Sequence, residues 1–221
     1  MKPMKRVRVG FVGLGARGGW AVRRNCSVPG VDIVAICDKK DVRIEESLKF
    51  LREQKRPEPK VFRGEEGWKA LCETDGIDAV YIANYFPEHA EYAIKALEKG
   101  INVISECTSN GTMAEGVALI RAAKKSKAIY MLAENYPYML FNQEMARIYK
   151  EGTLGKVLFA EGEYNHPVAP DDTSFLKKYY GWMKVISPLL TCLQRFILKI
   201  NNIKPIKYIK KGKTYIINDK Y

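Results

Sequence analysis

Glycines spaced G-x-G-x-x-G near the start of the chain have the spacing of a phosphate-binding turn. Residues 7–12 form a short apolar run, and Gly13, Gly15 and Gly18 follow it just before a helical pattern. In a dinucleotide site the first such glycine makes a tight turn, the second lets the backbone approach a pyrophosphate, and the third lets the helix pack closely on the strand. The helix that follows offers unpaired N–H groups to the phosphates. Arg17, inside this turn, could lie along the diphosphate or simply face solvent.

An acidic residue ends the second apolar run and supports the interpretation of the glycines as part of a dinucleotide site. Residues 31–38 predict a parallel strand that is buried on both faces, and Asp38 is its last residue. A carboxylate here can accept hydrogen bonds from the ribose hydroxyls of NAD and repels the 2′-phosphate of NADP. We therefore predict NAD, with NADP disfavoured, although Lys39 and Lys40 could soften that preference by pairing with a phosphate. The alternative role for Asp38 is a turn residue that caps the next helix.

Polar residues follow two later strands of the pattern as well. A turn that contains Asn84, Tyr85, Pro87 and His89 comes after the fourth apolar run, and Glu106 ends the fifth. Ligands of an open α/β sheet bind at the carboxyl ends of its strands, so these residues are predicted to face the cofactor. For His89 three roles stay open, namely a general acid–base, a cofactor contact and a buried polar group.

An alternation of strands and helices must position these residues. The pattern predicts strands at 7–12, 31–38, 61–62, 77–83, 102–106 and 129–134, and helices at 17–25, 41–54, 67–73, 88–99 and 113–125. Asp41 is the predicted cap of the second helix. Such alternation predicts right-handed βαβ units, and hence an α/β fold with a doubly wound parallel sheet of the Rossmann type over residues 1–135.

The pattern changes after residue 135. We predict a helix at 141–151, a strand at 157–166 and an incomplete second α/β domain over 136–198. The segment 199–221 is atypical, because Lys, Ile, Asn and Tyr make up 19 of its 23 residues and no clean apolar period is present. It is either out-of-frame or otherwise atypical sequence, or a Lys-rich strand or solvated tail.

Composition excludes several classes of protein. The net charge of +12 is uneven, since residues 199–221 carry seven lysines and one acid, and the rest of the chain shows no basic stripe. Nucleic-acid binding is therefore not expected. The apolar stretch 185–200 is interrupted by charged residues, no signal peptide is evident, and a membrane role is not expected. Five cysteines without a C-x-x-C pair indicate reduced thiols in the cytoplasm and no metal site.

Taken in order, these motifs resemble the Gfo/Idh/MocA family of nicotinamide-dependent oxidoreductases. The resemblance covers residues 5–166 and is carried by the glycine fingerprint, the turn with Pro87 and His89, and the stretch Gly-Ile-Asn-Val-Ile-Ser-Glu at 100–106. It implies a second α/β domain whose open-faced sheet carries the substrate and usually forms the oligomer interface. It also implies a sugar, an inositol or a related polyol as substrate, so a carbohydrate-like small molecule and a possible homo-oligomer are the expected partners.

One departure from the family pattern points to a branch within it. The family usually has Glu-Lys-Pro where this chain has Glu106-Cys107-Thr108, and the missing lysine removes a group that could carry the proton of a reacting hydroxyl. Together with 132–136 and 161–166, Glu106-Cys107 resembles the NAD-dependent glycosidases of glycoside hydrolase family 109. These enzymes oxidise a sugar hydroxyl, eliminate the glycosidic group, add water and reduce the sugar again.

That resemblance completes the predicted site. It implies that Asn135 contacts the nicotinamide half and that Tyr164 faces the sugar, unless Tyr164 is a core residue. The candidates for catalysis are His89, Tyr164 and His166. The predicted cofactor-binding residues are Gly13, Gly15, Ala16, Arg17, Gly18, Asp38, Asn84, Tyr85, Pro87, His89, Glu106, Cys107 and Asn135. Three functions stay open: a sugar or polyol oxidoreductase, a redox-assisted glycosidase, and a non-catalytic dinucleotide-binding remnant.

Overall fold

The structure is a computed structural model that describes residues 6–161 and the backbone of two short strands, 206–210 and 213–217. The chain divides into two compact units, Met1–Val157 and Leu158–Tyr221. Residues 136–157 belong to the first unit, and the sequence-based domain boundary after residue 135 stays a prediction. Every described element of the first unit precedes residue 151.

A six-stranded parallel sheet forms the centre of the first unit, with strand order β3-β2-β1-β4-β5-β6. Strands and helices alternate along the chain as β1 Val7–Val12, α1 Ala16–Cys26, β2 Val31–Asp38, α2 Asp41–Glu53, β3 Lys60–Arg63, α3 Gly67–Cys72, β4 Ala79–Ile82, α4 His89–Glu98, β5 Asn102–Ser105, α5 Met113–Lys125, β6 Tyr130–Leu132 and α6 Leu140–Lys150. Short 3-10 turns at Phe86–Glu88 and Tyr136–Tyr138 precede α4 and α6. The predicted doubly wound Rossmann sheet is confirmed.

Two apolar layers cover the faces of this sheet. Side chains of α1 and α2 pack on one face around Phe11 and Ile36, and those of α3, α4 and α5 pack on the other around Val80 and Val103. These four strand residues are at most 1% exposed, which explains why β1, β2, β4 and β5 are nearly continuous apolar runs. The order of the strands reverses between β1 and β4, so the turns after these two strands flank the crevice where ligands of such sheets bind.

The predicted element bounds differ from the structure by one or two residues, chiefly at the ends of short strands. The predicted cap of α2 was wrong. Lys40 is the residue before its first turn and Asp41 lies inside that turn, where its carboxylate pairs with Arg63 at 2.6 Å. α2 has no side-chain cap, and Oδ1 of Asp38 accepts the backbone N–H of Lys40 at 2.8 Å in a local turn just before the helix.

The predicted strand at 157–166 is wrong over its first half. Residues 157–161 have no regular structure, and 162–166, with Tyr164 and His166, lie outside the described residues. In the second unit, β7 Ile206–Lys210 and β8 Lys213–Ile217 pair antiparallel, which supports the Lys-rich strand interpretation of that segment. In the part of the chain that the structure describes, the helices are too short or too polar to cross a bilayer.

Candidate functional site

The turn between β1 and α1 is fixed by two glycines that touch the neighbouring backbone. Gly13 has φ +84°, and a Cβ on it would lie 2.4 Å from the backbone nitrogen of Asn84. A Cβ on Gly18 would lie 1.7 Å from the carbonyl oxygen of Gly13. Contacts this short are impossible for real Cβ atoms, so only glycine lets α1 pack on β1 and lets β1 approach the end of β4.

Gly15 has a different role, because no protein backbone crowds it. The nearest atoms to a Cβ there belong to the guanidinium of Arg43, at 3.4 Å and beyond, and its φ is an ordinary −63°. Gly15 also precedes the first turn of α1, which has no side-chain cap and no acidic residue. The first N–H groups of a helix need partners outside the helix. Gly15 and Ala16 therefore leave an open, positively polarised backbone surface that suits a phosphate.

Asp38 joins the end of β2 to the glycine turn. Its side chain is only 4% exposed, Oδ2 accepts the backbone N–H of Leu14 at 2.6 Å, and Oδ1 accepts that of Lys40 at 2.8 Å. This geometry shows that Asp38 organises the glycine turn. It does not cap α2, which was the alternative left open by the sequence, because that helix has no side-chain cap. Each carboxylate oxygen can accept a second hydrogen bond, so ribose binding by Asp38 stays a prediction.

The two lysines after Asp38 do not share one environment. Lys39 pairs with Glu65 at 2.5 Å and with Glu88 at 2.8 Å, and its ammonium lies 5.8 Å from the ring centre of Tyr85. These acidic partners keep it away from any phosphate. Lys40 is exposed at the start of α2. Tyr85 is 44% exposed at the same edge of the sheet.

The turn after β4 contains a buried histidine and an unpaired amide oxygen. His89 is 1% exposed, with Nδ1 2.8 Å from the carbonyl oxygen of Thr108 and Nε2 3.3 Å from that of Asn84. Of the three roles left open for His89, this geometry supports the buried polar group. Asn84 donates from Nδ2 to Glu88 at 2.7 Å, and among the described residues its buried Oδ1 has no partner. Pro87 is half-buried in the 3-10 turn between them.

A second polar group lies at the end of β5. The hydroxyl of Tyr81 donates to Oε1 of Glu106, and Nε of Arg17 lies 3.5 Å from Oε2 of the same carboxylate. Burial, followed by the contact with Glu106, raises the pKa of the Tyr81 phenol. Arg17 also lies 5.8 Å from the ring centre of Trp20. Glu106 thus connects the first turn of α1 to the sheet edge.

Cys107 takes the place of the family lysine and carries no positive charge. Its Sγ donates to Oε2 of Glu134 at 3.0 Å. Burial and this carboxylate raise the pKa of the thiol to about 11, so it is protonated at neutral pH. Asn135 follows Glu134 and is exposed, and its carbonyl oxygen accepts the N–H of Tyr138 at 3.1 Å.

The predicted cofactor residues follow five neighbouring strands of the sheet, β2, β1, β4, β5 and β6, at the edge where these strands end. Sequence reasoning missed Arg43, Tyr81 and Glu134, which contact the predicted acids or the cysteine. Arg43 and Tyr81 lie within a predicted helix and a predicted strand, where no local pattern marks them. Glu134 closely follows β6 at the same sheet edge, and this position after a predicted strand is a signal that the sequence does provide.

These residues fit a dinucleotide. Gly15 leaves the backbone open, α1 begins without a side-chain cap, and Asn84, which follows β4 at the same edge of the sheet, has a buried side-chain oxygen without a partner among the described residues. A sequence profile of the Gfo/Idh/MocA family, described as an oxidoreductase family with an NAD-binding Rossmann fold, matches residues 7–134. The chain belongs to the Gfo/Idh/MocA family. The resemblance stated from the motifs is thereby confirmed.

Relatives within the Gfo/Idh/MocA family include glycosidases. Glycosyl hydrolase family 109 protein 3 of Phocaeicola vulgatus is 36% identical over 177 residues, which is 80% of this chain and 32% of the relative. An alpha-N-acetylgalactosaminidase of Bacteroides fragilis is 33% identical over 164 residues, or 74% of this chain and 39% of the relative. The chain thus spans between about a third and two fifths of the length of these curated relatives.

Solved structures show the same Gfo/Idh/MocA fold. The scyllo-inositol dehydrogenase of Lactobacillus casei, crystallised with NAD(H) and scyllo-inositol, superposes with a TM-score of 0.61 at 16% identity. The superposition covers 68% of this chain and 43% of that enzyme. At this level of identity the likeness shows the Rossmann fold alone.

Proposed function

We propose that this chain binds NAD(H) at the glycine turn and belongs to an enzyme that uses the nicotinamide on a carbohydrate-like substrate. The observation that carries the proposal is the open backbone at Gly15, held in place because Asp38 accepts the N–H of Leu14 on one side and Gly13 touches Asn84 on the other. A turn held from both sides is preorganised for the diphosphate, since binding then costs little further ordering.

In this proposal, three groups of residues each bind a different part of the cofactor. Gly13, Gly15, Ala16, Arg17 and Gly18 hold the diphosphate, and Asp38 holds the adenosine ribose. Asn84, Tyr85, Pro87, Glu106, Cys107 and Asn135 form the nicotinamide half of the site, and the buried His89 positions its loops. When bound there, the nicotinamide supplies a hydride acceptor or donor. The partly buried side chain of Glu106, 13% exposed and already held by Tyr81, limits the access of water to that end.

The substrate chemistry favoured by the relatives is redox-assisted glycoside cleavage. The relatives at 33–36% identity bear glycosidase names, whereas the inositol dehydrogenase shares 16%. Cys107 agrees with this choice, because Glu106-Cys107 in place of the usual Glu-Lys is part of the resemblance to the family 109 glycosidases. An oxidoreductase acting on a sugar or polyol is the second candidate, favoured by the family's general description.

Native mass spectrometry of the purified chain tests the cofactor. We expect a bound mass equal to NAD in the wild type and its loss in Gly15→Ala, and the same spectrum gives the number of chains in any homo-oligomer. The absence of bound or bindable NAD from a folded wild-type protein would overturn the proposal.

Two substrates then separate the candidate activities. One substrate is a nitrophenyl N-acetyl-α-galactosaminide. Release of nitrophenol from it without net formation of NADH, which is followed by absorbance at 340 nm, would support the glycosidase. Formation of NADH with myo-inositol supports the oxidoreductase. Bound NAD with neither product would identify a dinucleotide-binding remnant without turnover and would contradict both enzymatic candidates.

A further inference from the structure

Arg43 is the charged group that the adenosine end of the site presents outward. It lies in the first turn of α2, with Nη1 3.6 Å from Oδ2 of Asp38. The guanidinium also contains the atoms nearest to a Cβ placed on Gly15, at 3.4–3.7 Å. The Arg43 side chain is 34% exposed whereas that of Asp38 is 4% exposed. A ligand that approaches over Gly15 therefore meets the cation before the carboxylate.

The guanidinium of Arg43 keeps its hydrogen-bond donors available. Within residues 6–161, its one ion pair is the contact of 3.6 Å with Asp38, which exceeds hydrogen-bond distance, and its side chain donates no hydrogen bond. Lys39, by contrast, is held by Glu65 and Glu88. Arg43, unlike Lys39, thus keeps donors that can pair with a phosphate, and the exposed Lys40 is the other cation at this end of the site.

Open space lies beside Arg43. A groove of about 380 Å³ runs between α1 and α2 from the glycine turn, and Gly15, Gly19, Trp20, Arg23 and Arg43 are among its lining residues. Gly19 has no side chain to fill it, and Arg23 lies against Phe50 with its guanidinium carbon 4.7 Å from the ring centre. The groove beside Arg43 thus has room for an added group, and its lining contains two cations, Arg23 and Arg43, and one carboxylate, that of Glu46.

We propose that Arg43 determines which dinucleotide this chain accepts, by pairing with the 2′-phosphate of NADP and so admitting NADP alongside NAD despite Asp38. A guanidinium presents a planar pair of donors that matches two phosphate oxygens, and such charge-assisted pairs are stronger than neutral hydrogen bonds. The negative charge of Asp38 is offset by the two N–H groups that it accepts and by Arg43 itself, which weakens its repulsion of a phosphate. This inference rests on the proposed function.

Fluorescence titration with NADH and NADPH tests the inference without any substrate. For the wild type we expect dissociation constants within about tenfold of each other. Arg43→Ala is expected to weaken the binding of NADPH by about tenfold or more and that of NADH by less than about threefold, since loss of a charge-assisted hydrogen bond lowers affinity by about tenfold or more. Adenosine 2′,5′-bisphosphate, compared with adenosine 5′-monophosphate, isolates the added phosphate and is expected to show the same selective loss.

Lys40→Ala is the matched control, because it removes a neighbouring exposed cation and is expected to leave the ratio of the two constants unchanged. An equal loss of both dinucleotides in a folded Arg43→Ala would overturn the inference. So would a wild type that binds NADH but binds NADPH more than about a hundredfold more weakly, and in that case the proposed function would still stand. A folded wild type that binds neither dinucleotide would refute the proposed function, and the role of Arg43 with it.

Discussion

The backbone N–H of Leu14 donates to Oδ2 of Asp38 across 2.6 Å, so one carboxylate joins the glycine turn to the end of β2. The other oxygen of Asp38 accepts the N–H of Lys40 at the start of α2. A residue that the sequence assigns to ribose recognition is therefore also part of the framework of the turn. Substitutions at Asp38 must be interpreted with both roles in mind.

Asp38→Ala is expected to lower the free energy of unfolding by about 2–3 kcal/mol, because the buried N–H of Leu14 and the partly buried N–H of Lys40 lose a charged acceptor. NAD binding is expected to weaken as well, by about 1–3 kcal/mol. Urea unfolding and NADH titration measure the two effects separately. Asp41→Ala, which removes an exposed partner of Arg63, is the control and is expected to change little. Unchanged stability of Asp38→Ala would contradict the framework role.

Substitution of Gly18 is expected to lower the stability of the fold, whereas substitution of Gly15 is expected to lower the affinity for NAD. Gly18→Ala places a methyl group against the carbonyl of Gly13 and is expected to destabilise the fold by about 3 kcal/mol or more. Gly15→Ala meets only the flexible side chain of Arg43, so its melting temperature should stay near that of the wild type while NAD affinity falls at least about tenfold. Thermal melts and NADH titrations of both variants check this, and normal NADH binding by Gly15→Ala would show that the diphosphate lies elsewhere.

His89 is expected to act as a positioning residue and not as a proton donor to substrate. Because its ring contacts the carbonyl oxygens of Thr108 and Asn84, His89→Ala leaves a cavity and frees two loops of the site. We expect a loss of about 2–3 kcal/mol in stability and a weaker NADH affinity. His89→Gln, which can still donate to one carbonyl, is expected to recover part of both. A variant that binds NADH normally but loses turnover would instead indicate a catalytic role.

Cys107 is expected to react slowly with alkylating agents despite its exposure. Partial desolvation of its sulfur first and the Glu134 carboxylate second raise its pKa to about 11, so the thiolate is scarce at pH 8. Glu134→Gln removes the second cause, and each unit by which the pKa falls speeds alkylation up to about tenfold. Peptide mapping after iodoacetamide treatment measures the rate, with the buried Cys37 as an internal control that stays unmodified in both proteins. Equal rates at Cys107 would show that Glu134 does not influence the thiol.

The ion pair between Arg8 and Asp78 predicts an acid-dependent part of the stability. Hydrogen bonds from Arg8, chiefly from its side chain, hold the pKa of Asp78 below its ordinary value of 3.8. In this pH range the unfolded chain binds the proton more readily. The contribution to stability is therefore complete above pH 3.8 and is lost as the pH falls through the lower pKa of the folded state.

Asp78→Asn is accordingly expected to cost about 1 kcal/mol at pH 7, since Arg8 is half exposed and solvent screens the pair. The difference from the wild type should shrink below about pH 3, as urea titrations at both pH values would show. Asp32→Asn breaks the more exposed pair with Arg6 and is expected to have a smaller effect. A deficit of Asp78→Asn that persists unchanged at pH 2 would exclude the electrostatic explanation.

The sheet could be predicted from sequence because its strands are buried on both faces, which leaves long apolar runs such as 31–38 with clear ends. The glycine turn was predictable for a related reason, since Gly13 and Gly18 have no acceptable substitutes at those contacts. The pairing of Asp38 with Leu14, of Tyr81 with Glu106 and of Cys107 with Glu134 was not predictable. Each of these depends on how neighbouring strands align, and local residue patterns carry no information about that alignment.

The contact between Gly13 and Asn84 has a consequence for the order in which this protein acquires its binding site during synthesis. Asn84 follows β4. During synthesis the glycine turn therefore lacks its contact with Asn84 until all elements from α1 to β4 have been made. Contacts between residues this distant in sequence form slowly, because a long loop must close first. A nascent chain released before β4 would contain the complete glycine motif and still be unable to hold a dinucleotide.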